Sequence, residues 1–110
     1  MEVRFTMIIY TKVWLDDERK APAGYYWADT VNKVKNYIVY MEEHGKTIEL
    51  LDLDHDLGYE RSCDGGDGIK LLDWLEETGR NYPIRLHSMN PVGVANMRTI
   101  IQKNNWTEVF

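Results

Sequence analysis

Three groups of residues in this chain carry side chains that bind metals or move protons, and each follows a short apolar run. Asp16-Asp17-Glu18-Arg19 follows Val13-Trp14-Leu15, Asp54-His55-Asp56-Leu57-Gly58 follows Ile48 to Leu53, and His87-Ser88-Met89-Asn90-Pro91 follows Ile84-Arg85-Leu86. Two carboxylates about 4 Å apart repel by about 4 kcal/mol at an effective dielectric near 20, so a pocket gathering Asp16, Asp17 and Asp54 needs a cation or a retained proton. Oxygen ligands without cysteines favour Mg²⁺, Mn²⁺ or Ca²⁺, and His55 and His87 add imidazoles that shift the preference towards Zn²⁺ or Mn²⁺. A histidine flanked by carboxylates, as His55 is by Asp54 and Asp56, suits general acid–base work. If the strand continues that far, period-two alternation puts Asp54 and Asp56 on one side and His55 on the other. His87, Ser88 and Asn90 supply an acid–base group, a hydroxyl and an amide, which suit proton transfer and hydrogen bonding to phosphate oxygens. Arg19 is a candidate phosphate clamp. Simpler readings stand beside these: Asp16 and Asp17 capping a turn, His55 as a surface residue and Arg19 in a surface ion pair.

The elements that must position these groups alternate between strand and helix. Met7 to Leu15 reads as a first strand, Glu18 to Gly24 as a loop, and Tyr25-Tyr26-Trp27 as a short second strand. Asp29 or Thr30 can cap a helix with apolar positions Val31, Val34, Ile38 and Met41, closed by Gly45. Ile48 to Leu53 is a strand, Gly58 to Asp67 a glycine- and aspartate-rich loop serving as lid or helix lead-in, and a second helix runs from about Gly68 to Gly79 on Ile69, Leu72 and Leu75. Tyr82 to Leu86 is a further strand. Val92 to Lys103 is a third helix with Val94, Met97, Ile100 and Ile101 as its stripe, started by Pro91, and Trp106 to Phe110 reads as an edge strand. This alternation implies parallel strands, right-handed crossovers and a doubly wound α/β sheet. In such a sheet ligands bind at the carboxyl ends of the strands, where all three groups stand. Asp52, inside its strand, fits that scheme only with a partner, expected to be a lysine or arginine. Tyr25, Tyr26 and Trp27 read as core packing or as a base-stacking group, and Tyr59 as a freer stacking candidate.

Composition narrows the classes. At 110 residues the chain matches one domain, 1–110, and its 44% hydrophobic and 28% charged residues are those of a globular protein rather than a disordered or repetitive one. A net charge of −5 offers no basic track for a long nucleic acid duplex, but leaves room for a nucleic acid end or a small phosphate ligand. The single Cys63 fits a reducing compartment. No apolar stretch approaches the roughly 20 residues that span a bilayer. Met1 to Tyr10 carries Glu2 and Arg4 and is unlike a signal peptide, so the expected setting is cytoplasmic, away from membranes. Oligomeric state has no signal in the sequence.

Leu15-Asp16-Asp17-Glu18-Arg19 with Pro22, Leu53-Asp54-His55-Asp56-Leu57-Gly58, and His87-Ser88-Met89-Asn90-Pro91-Val92-Gly93 with Met97 together resemble the receiver-like domain family predicted to process cyclic phosphates, over roughly Lys12 to Lys103. The resemblance implies a receiver-like, flavodoxin-like fold with strand order 2-1-3-4-5, in which the loop from Glu18 to Gly24 replaces the first helix. It also implies metal-dependent action on cyclic phosphates. Compared with ordinary phospho-acceptor receivers, Asp16, Asp17 and Asp54 fit the acidic pocket and Ser88 the strand-end hydroxyl, while the lysine at the end of the last strand has no match. The resulting expectation is a hydrolase in which Asp16, Asp17 and Asp54 hold Mg²⁺ or Mn²⁺. Asp54, Asp56, His55, His87 and Ser88 serve the chemistry, and Arg19 and Asn90 bind substrate. The substrate would be an RNA end bearing a 2′,3′-cyclic phosphate or a small cyclic nucleotide. The alternatives are a module that binds such a ligand without turnover, and a signalling receiver phosphorylated on Asp54.

Overall fold

Val13, Leu15, Ala28, Leu51, Leu53 and Ile84 alternate with more polar neighbours along short strands, and all six are buried in one apolar cluster. The computed structural model describes residues 9–110. Its strands are β1 (Lys12–Leu15), β2 (Tyr25–Ala28), β3 (Leu50–Leu53) and β4 (Ile84–Leu86), and its helices α1 (Val31–Glu43), α2 (Tyr59–Ser62), α3 (Gly68–Glu77) and α4 (Pro91–Lys103). The strands form one parallel sheet in the order β2-β1-β3-β4. This is the α/β receiver-like architecture, with a loop between β1 and β2 where a first helix would stand.

Right-handed crossovers carry α1 and α3 over the same sheet face, and α1 packs on α3 and α3 on α4. The helix stripes meet the inward strand residues there: Val31, Val34, Ile38 and Met41 from α1, Leu71, Leu72 and Leu75 from α3, Met97 and Ile101 from α4. Burying each such side chain contributes about 1.5–3 kcal/mol relative to exposure. The opposite face holds Trp14 in register with Trp27 and Asp52, and Asp52 in register with Arg85. The β1–β2 loop is tied to that face where the Trp14 indole N–H donates to the Arg19 carbonyl (2.9 Å).

Several boundaries differ from the sequence expectation. The first strand begins at Lys12; Met7 and Ile8, with most of the Met1 to Tyr10 segment read as unlike a leader, lie outside the described residues. Thr30, not Asp29, caps α1 by accepting the Lys33 N–H (3.2 Å), because Asp29 is held by Lys33 Nζ (2.6 Å) and Arg61 Nε (2.9 Å). The loop from Gly58 to Asp67 contains α2, and Asp64 fastens it to the start of α1 through Thr30 Oγ1 (2.8 Å) and Asn32 Nδ2 (3.0 Å). It is therefore a docked segment leading into α3, whose N-cap is Asp67. The expected final strand reduces to one parallel bridge, Ile84 with Glu108, beside β4. The Ile84 N–H donates to the Thr107 carbonyl and the Ile84 carbonyl accepts from Val109 N–H, so its pairing capacity is filled at that single residue. Among the described residues no helix is long and apolar enough to cross a membrane.

Candidate functional site

Parallel pairing of β1, β3 and β4 ends all three strands on one edge, and the residues after each strand gather around a cleft of about 540 Å³. Asp16, Asp17, Glu18 and Arg19 line it from the β1 end, Asp54, Asp56, Leu57 and Gly58 from the β3 end, and Ser88, Met89 and Asn90 from the β4 end. All seven cleft residues expected from the sequence, Asp16, Asp17, Arg19, Asp54, Asp56, Ser88 and Asn90, are thus together. His55 and His87 are not among the lining residues, and they stand apart from each other.

Asp16 is the most enclosed acid of the cleft, 1% exposed. One of its oxygens, Oδ1, accepts the backbone N–H groups of Glu18 and Arg19, both at 2.9 Å, which folds the chain back at the strand end. The other, Oδ2, meets Arg19 Nε at 3.2 Å and His87 Nε2 at 3.0 Å. Burial alone would push this carboxyl up, but the two backbone donors and the His87 ring outweigh it and hold the group below the ordinary carboxylate value. Turn-capping and a site role are therefore compatible in Asp16, since its two oxygens face different partners.

Asp54 follows the last residue of β3, and its N–H donates to the Leu15 carbonyl (2.9 Å), which fixes it next to Asp16. Burial pushes its carboxyl up, with Asp16's negative charge adding to the effect, against the Ser88 hydroxyl, the His55 N–H and His87. Arg19 is 3.9 Å from its Oδ2 and is the one cation among the described residues lining the cleft. The two neighbouring acids are thus driven in opposite directions, and Asp54 is the one whose negative charge its surroundings disfavour.

The alternation expected after β3 is present in the side chains even though the strand ends at Leu53. Asp54 and Asp56 face the cleft, while His55 turns behind it. The His55 ring packs so closely on α4 that a Cβ on Gly93 would come within 2.5 Å of it, and a Cβ on Gly68 would come within 1.9 Å of the Asp54 carbonyl oxygen. Only glycine lets α3 and α4 start this close to the cleft. His55 Nδ1 meets Asp56 Oδ1 at 2.7 Å, and Asn90 Nδ2 donates to the same oxygen (3.2 Å) while Asn90 Oδ1 caps α4 by accepting Gly93 N–H (3.0 Å). Asp17 Oδ2 accepts Gly58 N–H (2.8 Å), linking the first and second clusters.

Asp52 was expected to pair with a lysine or arginine; its partner is His87. His87 Nδ1 is 2.6 Å from Asp52 Oδ1, and the ring lies flat on Trp14 with centroids 3.7 Å apart and planes 3° apart. Asp52 points away from the helix-covered face, so this 1%-exposed acid meets an imidazole from the neighbouring strand rather than the apolar core. Asp52 and Trp14 are the residues that sequence reasoning did not assign to the site. Their signal was the acid interrupting Leu50-Leu51-Asp52-Leu53, two residues before Asp54.

Asp16, Asp54 and His87 each offer one ligand atom, all within 4.8 Å of one another. Two carboxylates and one imidazole suit Mn²⁺ or Zn²⁺ as well as Mg²⁺, and the upward push on Asp54 marks negative charge that a bound cation would relieve. Asp52 stands behind His87 at 2.6 Å, the place taken by the outer carboxylate that orients an imidazole in metal sites. By donor chemistry this group fits a divalent cation. A second group, His55, Asp56 and Asp67, has similar spacing, but Asp67 Oδ1 already accepts Leu57 N–H (2.9 Å) and the others bond each other.

A family model described as Cyclic-phosphate processing Receiver domain matches residues 11–103. Comparison with curated proteins and with solved structures gave no match.

Proposed function

The chain belongs to the cyclic-phosphate processing receiver domain family, and from that premise we propose that its cleft binds a cyclic phosphodiester beside a divalent cation and opens it with water. The observation that carries the reading is the Asp16–Asp54–His87 group, two buried acids of the cleft with the half-buried imidazole beside them, backed by Asp52. Asp16, Asp54 and His87 would hold the ion, with Asp17 contributing negative charge from the rim while its Oδ2 binds Gly58 N–H. The ion, when bound, supplies Lewis acidity towards a phosphoryl oxygen and lowers the pKa of water.

The chain's own groups do the rest. Arg19, half-exposed at the mouth, offers guanidinium N–H donors to a phosphate oxygen, and the Ser88 hydroxyl beside Asp54 offers another donor. Asp56, held by His55 Nδ1 and Asn90 Nδ2, takes a proton from the attacking water at its free oxygen. His55 acts through Asp56, and His87 acts as ligand, so the two histidines have separate tasks rather than forming an acid–base pair. Water adds to phosphorus, one ring P–O bond breaks, and the leaving oxygen takes up the proton that Asp56 removed from the water. Substrates would be RNA ends bearing a 2′,3′-cyclic phosphate or small cyclic nucleotides, in a cytoplasmic setting.

A second reading is a module that binds such ligands without turnover. It is favoured by Arg19, whose guanidinium pairs with Asp16 and approaches Asp54. The two separate on incubation with a 2′,3′-cyclic-phosphate-ended oligoribonucleotide and a panel of cyclic nucleotides, with Mg²⁺, with Mn²⁺ and with chelator, followed by mass spectrometry. Metal-dependent gain of one water, lost in Asp54→Asn and His87→Ala, supports the enzyme. Ligands bound but recovered intact from folded protein establish the module and overturn the enzyme.

A further inference from the structure

Of the aromatic run Tyr25-Tyr26-Trp27, two rings are engaged within the protein. Tyr25 packs edge-on against Trp14 with centroids 6.0 Å apart, and Tyr26 stacks on Tyr37 at 3.8 Å and 5°. Trp27 has no aromatic partner among the described residues and is 44% exposed. A lone exposed aromatic is ordinary, but this one is fixed. Its indole N–H donates to the Asp16 carbonyl (2.8 Å), the backbone of the acid at the cleft floor. The ring also borders a depression of about 350 Å³ with Asp17, Asp29 and Lys33, and that depression shares Asp17 with the main cleft. The other exposed aromatic near the cleft, Tyr59, is 86% exposed and borders a separate depression that also meets Asp17.

We propose that Trp27 is the stacking platform for the nucleobase of a substrate whose cyclic phosphate occupies the cleft, so that the site takes nucleotides rather than cyclic phosphates in general. The inference rests on the phosphate-binding reading above. A ring already oriented by a backbone hydrogen bond loses little freedom when a base lies on it, and a π-face accepts every base. Recognition is therefore base-dependent but base-tolerant. Lys33, at the edge of the same depression and paired with Asp29 at 2.6 Å, gives the base a polar border.

The test uses the full chain with Mn²⁺ in an Asp56→Asn background, so that the cation keeps its place and binding is read without turnover. Affinities for adenosine 2′,3′-cyclic phosphate and for the base-free methyl riboside 2,3-cyclic phosphate are measured by calorimetry in the parent, Trp27→Ala and Trp27→Phe proteins, each checked for an intact thermal transition. Base stacking on an aromatic ring corresponds to about a 5- to 150-fold gain in affinity. The parent should prefer the nucleotide by a factor in that range, Trp27→Ala should bring the ratio near one, and Trp27→Phe should recover most of it. Equal affinities in the parent, or a ratio that survives Trp27→Ala, overturn the assignment while leaving phosphate binding intact. Binding of neither probe overturns both readings. Because a mononucleotide and an RNA end share this chemistry, a cyclic-phosphate-ended oligoribonucleotide is added. Tighter binding than the mononucleotide, still sensitive to Trp27→Ala, supports stacking of an RNA end, and equal binding supports stacking of a free cyclic nucleotide.

Discussion

Replacing Asp54 with asparagine should make the metal-free protein more stable and the metal-loaded protein less so. The ligand oxygens of Asp16 and Asp54 lie within 4.8 Å of each other, which corresponds to about 3.5 kcal/mol of repulsion at an effective dielectric near 20. Arg19 offsets part of this, but it is 47% exposed, which limits its contribution to about 1 kcal/mol. The Ser88 hydroxyl offsets about 1.5 kcal/mol through a hydrogen bond to the charged group, while burial of the carboxylate adds its own cost. A net cost of about 1–2 kcal/mol remains with the ionised carboxylate. Asparagine keeps the shape and an oxygen for the Ser88 and His55 donors while removing the charge. For a domain of this size the gain should appear as a rise of about 5–10 °C in melting temperature.

The sign also fixes the pH dependence. Asp54's folded carboxyl is pushed above its ordinary 3.8, so the folded state binds the proton more tightly than the unfolded one. The destabilisation is absent below 3.8 and sets in as pH rises through the folded value. Circular-dichroism melts in chelator should therefore show little difference between parent and Asp54→Asn at pH 3.5 and a clear advantage for the variant at pH 7.5. With Mn²⁺ at about 100 times its dissociation constant, the parent should gain about 2.7 kcal/mol and overtake the variant. A variant that melts at or below the parent in chelator at pH 7.5 would refute the claim that Asp54 is held there against its own electrostatics.

Asp52→Asn should weaken Mn²⁺ binding by about 10- to 100-fold, the range for loss of the carboxylate behind a ligating histidine, read as a shifted midpoint in a metal titration of melting temperature. An unchanged midpoint would mean that the Asp52–His87 contact serves the sheet alone. Away from the site, Arg80 makes a two-pronged contact with Glu42 (Nε at 3.1 and 3.2 Å, NH2 at 2.9 Å), and the Arg80 contact holds the Glu42 carboxyl below its ordinary 4.5. Its stabilisation is therefore present above 4.5 and lost as pH falls through the lower folded value. Arg80→Met should cost about 1 kcal/mol at pH 7 and less at pH 3 in paired melts. Some deficit should persist at low pH because Arg80 also lies 4.3 Å from the Trp74 ring centre, and a deficit independent of pH would remove the ion pair from the account.

What could be read from the sequence was governed by local rules. Thr30 stands as a cap before an apolar stripe of period 3.6 and Pro91 opens another, so α1 was visible with its whole stripe and α4 with Met97 and Ile101 of its stripe in the core. The convergence of Asp16, Asp54 and Ser88 followed from topology, because parallel strands bring all their carboxyl ends to one edge. Side-chain alternation also predicted correctly that Asp54 and Asp56 share a side. The rest depended on contacts between residues far apart in sequence. Nothing local distinguishes a turn of α2 from the glycine-rich stretch around it, since four residues make too little periodicity, and the expected edge strand shrank to one bridge because only Ile84 presents both pairing groups to it.

Asp52 shows most clearly where local reasoning fails. Inside an apolar run it looks like a defect that a long cationic side chain should neutralise. The register puts Arg85 beside it on β4, yet Arg85 is exposed, and His87 two residues on reaches back instead. An arginine on Asp52 would satisfy a charge and end there. An imidazole has a second nitrogen, and holding one on Asp52 aims the other at Asp16. The acid that seemed out of place on the strand is thus what connects the sheet's interior to the cleft, and the stack of His87 on Trp14 leaves the ring little choice of orientation. The same logic explains why His55 and His87, both placed just after a strand, stand apart. One lies behind β3 against α4 and the other crosses the loop-covered face, so each answers to a different carboxylate, Asp56 or Asp52.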